Sequence, residues 1–287
     1  MKVGLSTYSL SRAVRSGEMD VLQAIEWIAE NGGEHVEISQ FGFNLEETPE
    51  LADAIIQKAG EAGIEVSGFN ISANFIRPSE AEYEAEIERV IRSVDIAARL
   101  GVRTMRHDVA SRPKNECSIR QFEADLERLA RACRIVADYA AKYGITTTVE
   151  NHGFFIQSSD RIQRLVDAVD RPNYKTTLDI GNFMCVDEDP VSAVKKNLAY
   201  ASMIHLKDFY LRPAYRNPGE GWFETLSGNY LRGAIFGQGD IDVPEVIRQI
   251  KASGYDGYLS IEFEGMEECK AGSRIGMANA KRLWAEA

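Results

Sequence analysis

The segment from Ile145 to Asp208 repeats one event three times. A run of strand-forming residues climbs to a group able to bind a metal ion and then breaks off. Ile145-Thr-Thr-Thr-Val149 ends at Glu150-Asn151-His152-Gly153, Tyr174-Lys-Thr-Thr-Leu178 ends at Asp179-Ile180-Gly181-Asn182, and Ser202-Met-Ile204 ends at His205-Leu206-Lys207-Asp208. Helix-like segments, Asp160–Val169 and Pro190–Tyr200, lie between them. Strands alternating with helices at this spacing predict βαβ units and a parallel sheet. The chemical endings then fall at the carboxyl ends of neighbouring strands, where α/β folds build their sites.

The same rhythm runs through the rest of the chain. Lys2–Tyr8, His35–Ser39, Ile64–Asn70 and Val102–Asp108 have strand composition, and Tyr258–Phe263 supplies an eighth strand. Asp20–Glu30 carries an apolar stripe at helical spacing and stops at Asn31-Gly32-Gly33. Glu80–Leu100 and Gln121–Tyr143 are long amphipathic helices ended by Gly101 and Gly144; Val243–Ser253 and Ala271–Glu286 complete the set. At 287 residues the chain suits one (β/α)8 TIM barrel, usually about 250 residues. No linker or composition break divides it, which predicts a single domain over 1–287. The rhythm fails only in Phe209–Gly239, a long aromatic loop after strand seven. A loop of that length in a compact fold is usually functional. Its Tyr210, Tyr215, Trp222, Phe223, Tyr230 and Phe236 suit a lid over a site, a subunit interface, or both.

Composition narrows the partners. A formal charge of −11 argues against non-specific binding to nucleic acid or an anionic membrane surface. Cys117, Cys133, Cys185 and Cys269 show no CxxC spacing, so neither a zinc knuckle nor a redox pair is expected. The chain enters its first strand without an apolar signal region, and no apolar run reaches the roughly 18–20 residues of a membrane helix. These features predict a reduced, cytoplasmic protein acting on a small molecule.

Successive side chains of a strand point to opposite faces. Glu150 therefore shares a face with Thr146 and Thr148, Asp179 with Thr177, His205 with Met203, and Glu262 with Tyr258 and Ser260. If these faces turn inward, three carboxylates and one imidazole converge at the top of a barrel. Like charges in a low dielectric repel strongly, and a divalent cation resolves the conflict. An oxygen-rich set with one nitrogen favours Mn²⁺, with Mg²⁺, Co²⁺ or Zn²⁺ also compatible. A cation that chelates a carbonyl and its adjacent hydroxyl stabilises an enediolate, and a nearby carboxylate can then take the acidified C–H proton.

The motifs Val149-Glu-Asn151, Leu178-Asp-Ile-Gly-Asn182, Ile204-His-Leu-Lys-Asp208 and Gly237-Gln-Gly-Asp240, with Ser260-Ile-Glu262 and the early Gly32-Gly-Glu-His-Val-Glu37, resemble those of the xylose-isomerase-like sugar isomerase/epimerase barrels. The resemblance covers essentially the whole chain. It implies that Glu150, Asp179, His205 and Glu262 are the metal ligands, and that Glu150 and Glu262 exchange protons with substrate. The ketose epimerases carry a histidine where this chain has Asn182, and an arginine shortly after the strand-seven histidine that Arg212 does not match in spacing. The His205-Leu-Lys-Asp208 segment is more similar to the inositol-catabolism and dehydratase-like branches.

Further candidates surround this core. His152 shares parity with Glu150 and can serve as acid or base near neutral pH; as a bland alternative it orders a loop. Lys207 shares parity with His205 and can hold a substrate oxygen, or else form a rim salt bridge. His107, Glu37, Asn182 and Trp222 are candidate substrate contacts, with Glu264 beside them, and Arg106 is a candidate structural partner. The leading expectation is a metal-dependent isomerase or epimerase acting on a sugar, keto-sugar or cyclitol. A metal-dependent lyase shares the enolate and differs only in expelling a β-substituent, as an inosose-type dehydratase or a 3-keto-glycoside or C-glycoside deglycosidase does. A non-catalytic sugar-binding protein is a third class. An endonuclease-IV-like DNA-repair role fits poorly with four histidines and the acidic balance. The aromatic loop and the closing helix are compatible with a homo-oligomer or a partner subunit.

Overall fold

Two kinds of punctuation set the barrel's rhythm: side-chain caps that start helices and left-handed residues that end them. Asp20 caps α2 (Val21–Glu30) and Ser79 caps α4 (Glu80–Arg99), each in a reciprocal capping box with the third helical residue. Such a cap contributes about 1 kcal/mol. Gly63 ends α3 (Glu50–Ala62) at φ +72, and Gly144 ends the 3₁₀ turn after α5 (Ile119–Ala140) at φ +68, a conformation that costs a residue with a Cβ more. Helices α6 (Ser159–Val169), α7 (Pro190–Asn197), α8 (Val243–Ala252) and α9 (Cys269–Glu286) follow, with a short α1 (Ser11–Arg15) near the start.

The computed structural model describes residues 1–287. The first seven strands are β1 (Lys2–Ser6), β2 (His35–Ser39), β3 (Glu65–Ile71), β4 (Thr104–His107), β5 (Thr146–Glu150), β6 (Tyr174–Asp179) and β7 (Ala201–Leu206). Three more, β8 (Asp208–Arg212), β9 (Phe223–Glu224) and β10 (Tyr230–Ala234), stand apart, and β11 (Tyr258–Ile261) comes last. Strands β1 to β7 and β11 close into a parallel barrel in the order β1-β11-β7-β6-β5-β4-β3-β2. The chain is thus a (β/α)8 TIM barrel. Its hydrophobic core is one contiguous cluster between the strands' outer faces and the helices.

The interior of the barrel is markedly polar. Thr148 and Thr177 share a hydroxyl hydrogen bond of 2.8 Å, Ser6 and Ser39 one of 3.1 Å, and Asn70 donates to Ser39 Oγ. His35 spans Ser67 Oγ and the Leu259 carbonyl at 2.8 and 3.0 Å. It lies where a Cβ on Gly4 would strike it, so the glycine makes room for a buried structural histidine. All four cysteines are unpaired and buried, and no helix is long and apolar enough to cross a membrane.

Phe209–Gly239 is not an irregular loop. It builds the antiparallel sheet β8-β10-β9, with Leu231 paired to Leu211 and Phe223. Two carboxylates anchor it. Asp208 accepts from the backbone N–H groups of Phe209, Gly237, Gly239 and Ile241. Asp187 accepts from Thr225, Ser227 and Asn229. Asp208 opens β8 and Asp187 lies outside the sheet, and most of the groups they hold are distant in sequence, so short-range alternation cannot reveal the sheet.

Candidate metal centre and active site

Glu150, Asp179 and His205 end or nearly end β5, β6 and β7, and Glu262 follows β11 directly. Each offers one ligand atom, and these atoms all lie within 4.8 Å of one another. The strand endings are locked together from behind. Asn151 donates to the Asp179 carbonyl and accepts from its N–H at 2.8 and 2.9 Å. Asp179 Oδ1 accepts from Gly181 N and Asn182 N, both at 2.8 Å, which aims Oδ2 at the barrel axis. His205 Nε2 meets Glu37 Oε2 at 2.8 Å, and Ser260 Oγ donates to the same oxygen. That leaves His205 Nδ1 facing Glu150 Oε1 and Glu262 Oε1 at 3.4 and 3.6 Å.

Two atoms test whether this set suits a cation. His205 Nδ1 and Asp179 Oδ2 are buried and make no hydrogen bond, only the looser ion-pair contacts with Glu150 and Glu262 on one and Lys207 on the other, although buried polar atoms are nearly always satisfied. Both belong to the four-residue cluster. A divalent ion coordinated by three carboxylate oxygens and one imidazole nitrogen would satisfy both at once, and the donor chemistry is that of Mn²⁺, Mg²⁺, Co²⁺ or Zn²⁺ sites.

Without such an ion, protons and side-chain cations balance the charge. Burial pushes the Asp179 carboxyl up to about 7, reinforced by Glu150 and Glu262 and opposed by Lys207. Burial would neutralise His205, but Glu37 and Glu262 outweigh it and hold the imidazolium well above its usual range. Lys207 Nζ lies 2.6 Å from Glu262 Oε2, 3.3 Å from Asp179 Oδ2 and 3.7 Å from Glu264 Oε2. Burial opposes its charge, yet those carboxylates raise its pKa well above normal.

Arg106 dominates the other side. Its guanidinium pairs with Glu150 and, at 2.8 Å, with Asp108. Burial pushes the Glu150 carboxyl up, but Arg106 and His205 bring it well below the ordinary carboxylate range. Asp108 in turn stands 3.5 Å from His152 Nδ1. His152 is half-exposed at the cavity mouth, where partial burial lowers its pKa but Asp108 and Glu150 raise it further.

A cavity of about 630 Å³ opens over this floor, lined by Glu150, Glu262, Lys207, Glu264, Arg106, Asp108 and His152 among others. Four sequence-predicted substrate contacts do not line it. His107 is fully buried, between Phe75 and Tyr174, with Nδ1 on the Asp108 carbonyl, and burial lowers its pKa to about 4. Arg106 takes the inward place instead, because it pairs in register with Thr148, whose face carries Glu150. Glu37 is buried behind His205, and Asn182 is buried between Glu150 Oε1 and Lys207 Nζ at 3.2 and 3.3 Å. Trp222 packs with Arg212 and Arg232 on the small sheet. None of that sheet's aromatics lines the cavity, so the expected lid does not cover the site in this conformation. Aromatic walls come from elsewhere, at Tyr8, Phe41 and Phe43, and Asn70 closes the floor beside them. Strand parity places Arg106 and Asn70 inward; nothing local marks the Phe41–Phe43 loop.

A closed eight-stranded α/β barrel with a four-donor centre at the carboxyl ends of its strands defines a class, and the sequence agrees. The pattern of the xylose isomerase-like TIM barrel family matches residues 25–286, and the chain belongs to that family. Among curated relatives, the inosose dehydratase of Bacillus velezensis is 27% identical over 146 residues, 50% of this chain and 48% of that protein. The match thus spans about half the length of the relative. Among solved structures, the probable 3-DHS dehydratase AsbF of Bacillus anthracis superposes with a TM-score of 0.75 at 18% identity, covering 99% of this chain and 98% of the other. The 3-keto-D-glucoside 4-epimerase YcjR of E. coli gives 0.73 at 16% identity, covering 98% and 99%. At such identities the likeness establishes the fold.

Proposed function

We propose that the protein is a divalent-metal-dependent isomerase or epimerase that moves a proton at a carbon next to the carbonyl of a sugar, keto-sugar or cyclitol. The observation that carries this is the four-donor cluster with two orphaned ligand atoms at the floor of a polar cavity. Family membership and the enzymatic character of its relatives support it. Glu150, Asp179, His205 and Glu262 would hold the ion, with Mn²⁺ the first choice. Such an ion supplies polarisation of a carbonyl and its neighbouring hydroxyl.

The chain's own groups do the rest. Glu150 and Glu262 stand at the two ends of the strand arc β5-β6-β7-β11, so one can take the substrate proton and the other return one. Lys207 donates toward negative charge developing on a substrate oxygen. Glu37 holds the His205 tautomer that presents Nδ1 to the cluster, and Asn182 spaces Glu150 from Lys207.

Elimination is the second reading, and one observation favours it. His152, whose pKa Asp108 and Glu150 raise against the effect of burial, stands at the cavity mouth, where it can protonate a departing hydroxyl or aglycone. The inosose dehydratase relative supports the same reading. The test is incubation of Mn²⁺-loaded protein in D₂O with ketoses, inososes and 3-keto-glycosides. Deuterium in recovered substrate or its isomer supports the isomerase reading, and product lacking water or an aglycone supports the lyase. Sugar binding without exchange or product would leave a sugar-binding protein and overturn both.

A further inference from the structure

The cavity over the carboxylate cluster exceeds what one sugar ring fills. At about 630 Å³ it falls within the ~300–1,000 Å³ of sites that enclose drug-sized ligands. It also does not end where its wall turns. A second cavity of about 450 Å³ shares Ser72, Arg89, Asp108 and His152 with it and continues to Asn74 and Ser111. The two form one cleft, and His152 stands at their junction.

The chemistry of the outer arm identifies what it can take. Arg89 donates to both Glu86 oxygens at 2.9 and 3.0 Å and to the Ser72 carbonyl at 2.6 Å. Arg77 meets Glu86 at 3.1 Å, and Glu46 lies 3.7 Å from Arg89. Arg77 and Arg89 are thus both tied to Glu86, and His152 faces Asp108, so each cation of the arm already has a carboxylate partner and none is free for a phosphate. Hydroxyl and amide groups remain, at Ser72, Asn74 and Ser111, and Phe43 offers an aromatic face on the wall of the adjoining first cavity. A ring with hydroxyls on its rim and C–H groups on its face matches that wall.

Resting on the enolising reading of the metal cluster, we propose that the substrate is a neutral glycoside of at least two rings. The reacting ring lies over Glu150 and Glu262, and the second ring lies where the cavities meet, beside Ser72 and Arg89. The link between the rings then passes His152.

The test compares methyl 3-keto-glucoside, which has one ring, with 3-keto-trehalose, which has two, on Mn²⁺-loaded protein. Two readouts are taken: deuterium exchange next to the carbonyl by NMR, and dissociation constants by calorimetry. The two-ring compound is expected to have the higher kcat/KM and the tighter Kd by about tenfold or more, ~1.4 kcal/mol. Ser72→Trp and Ser111→Trp, which fill the outer arm, should each reduce that ratio to below about threefold, ~0.7 kcal/mol. Equal handling of the two compounds by the wild type, or Trp variants that lower both equally, would overturn the two-ring substrate while exchange itself upholds the enolising reading. Tighter two-ring binding without exchange would uphold the extended cleft and overturn the catalytic reading. Absence of both binding and exchange would overturn the two together.

Discussion

Replacing Arg106 by Met removes the guanidinium that bridges Glu150 and Asp108. The Glu150 side chain is 1% exposed and that of Arg106 14%, so solvent can do little to screen the loss. Breaking a buried pair by deleting one partner costs about 3–5 kcal/mol, because a buried charge is left uncompensated. In chains of comparable or slightly smaller size each kcal/mol moves Tm by ~2–4 °C. Metal-stripped Arg106→Met should therefore melt roughly 6–20 °C below metal-stripped wild type. A cation held by Glu150 would replace part of the missing charge, so Mn²⁺ should stabilise the variant more than the wild type. Differential scanning calorimetry in EDTA and in Mn²⁺ measures both effects. A stripped variant melting within about 2 °C of wild type, or equal stabilisation of both proteins by Mn²⁺, would refute the reasoning that Arg106 neutralises Glu150.

Other perturbations separate the remaining groups. Lys207→Met takes a cation off Asp179 and Glu262; Mn²⁺ affinity by calorimetry should hold or rise while α-proton exchange falls by about 100-fold or more, and exchange at the wild-type rate would remove Lys207 from the chemistry. Glu37 and Glu262 raise the His205 pKa well above its usual range in the metal-free protein, and a ligating imidazole must be neutral. Its raised pKa, together with the Asp179 carboxyl pushed up to about 7, therefore makes Mn²⁺ uptake near neutral pH release protons, with affinity climbing as pH rises. Titration heats that do not depend on the buffer's ionisation enthalpy would contradict this. In Gly239→Ala the new Cβ would lie 2.1 Å from Asp208 Oδ1 and 2.6 Å from the Phe209 carbonyl, so a loss of about 1–3 kcal/mol is expected in denaturant unfolding; an unchanged midpoint would show that Asp208 does not pin that segment.

The four-donor cluster was legible because a strand's period of two fixes side-chain direction once the strand itself is recognised. Glu150, Asp179, His205 and Glu262 each follow an inward threonine, methionine or serine at that period. The same rule separates Arg106 from His107. Chemical familiarity favours the histidine as a substrate contact, but register across to Thr148 turns the arginine inward and packs the imidazole among Phe75 and Tyr174. Glu37 and Asn182 were legible as neighbours of the site but not as to role, because their partners, His205 and the Glu150–Lys207 pair, are distant in sequence. The β8-β10-β9 sheet was not legible. Its strands are short, Pro213, Gly219 and Gly221 fall between them, and the carboxylates that anchor it, Asp187 and Asp208, hold groups distant in sequence.

The central claim is that Glu150, Asp179, His205 and Glu262 form one divalent-metal site. Its most direct test is a Mn²⁺ titration of EDTA-treated protein, following free ion by electron paramagnetic resonance, on the wild type and on Asp179→Asn and His205→Ala checked for fold by circular dichroism. The account expects a single tight site per chain that both substitutions abolish in folded protein. A wild type that binds no Mn²⁺, Mg²⁺, Co²⁺ or Zn²⁺ tightly, or folded variants that bind Mn²⁺ as the wild type does, would contradict it.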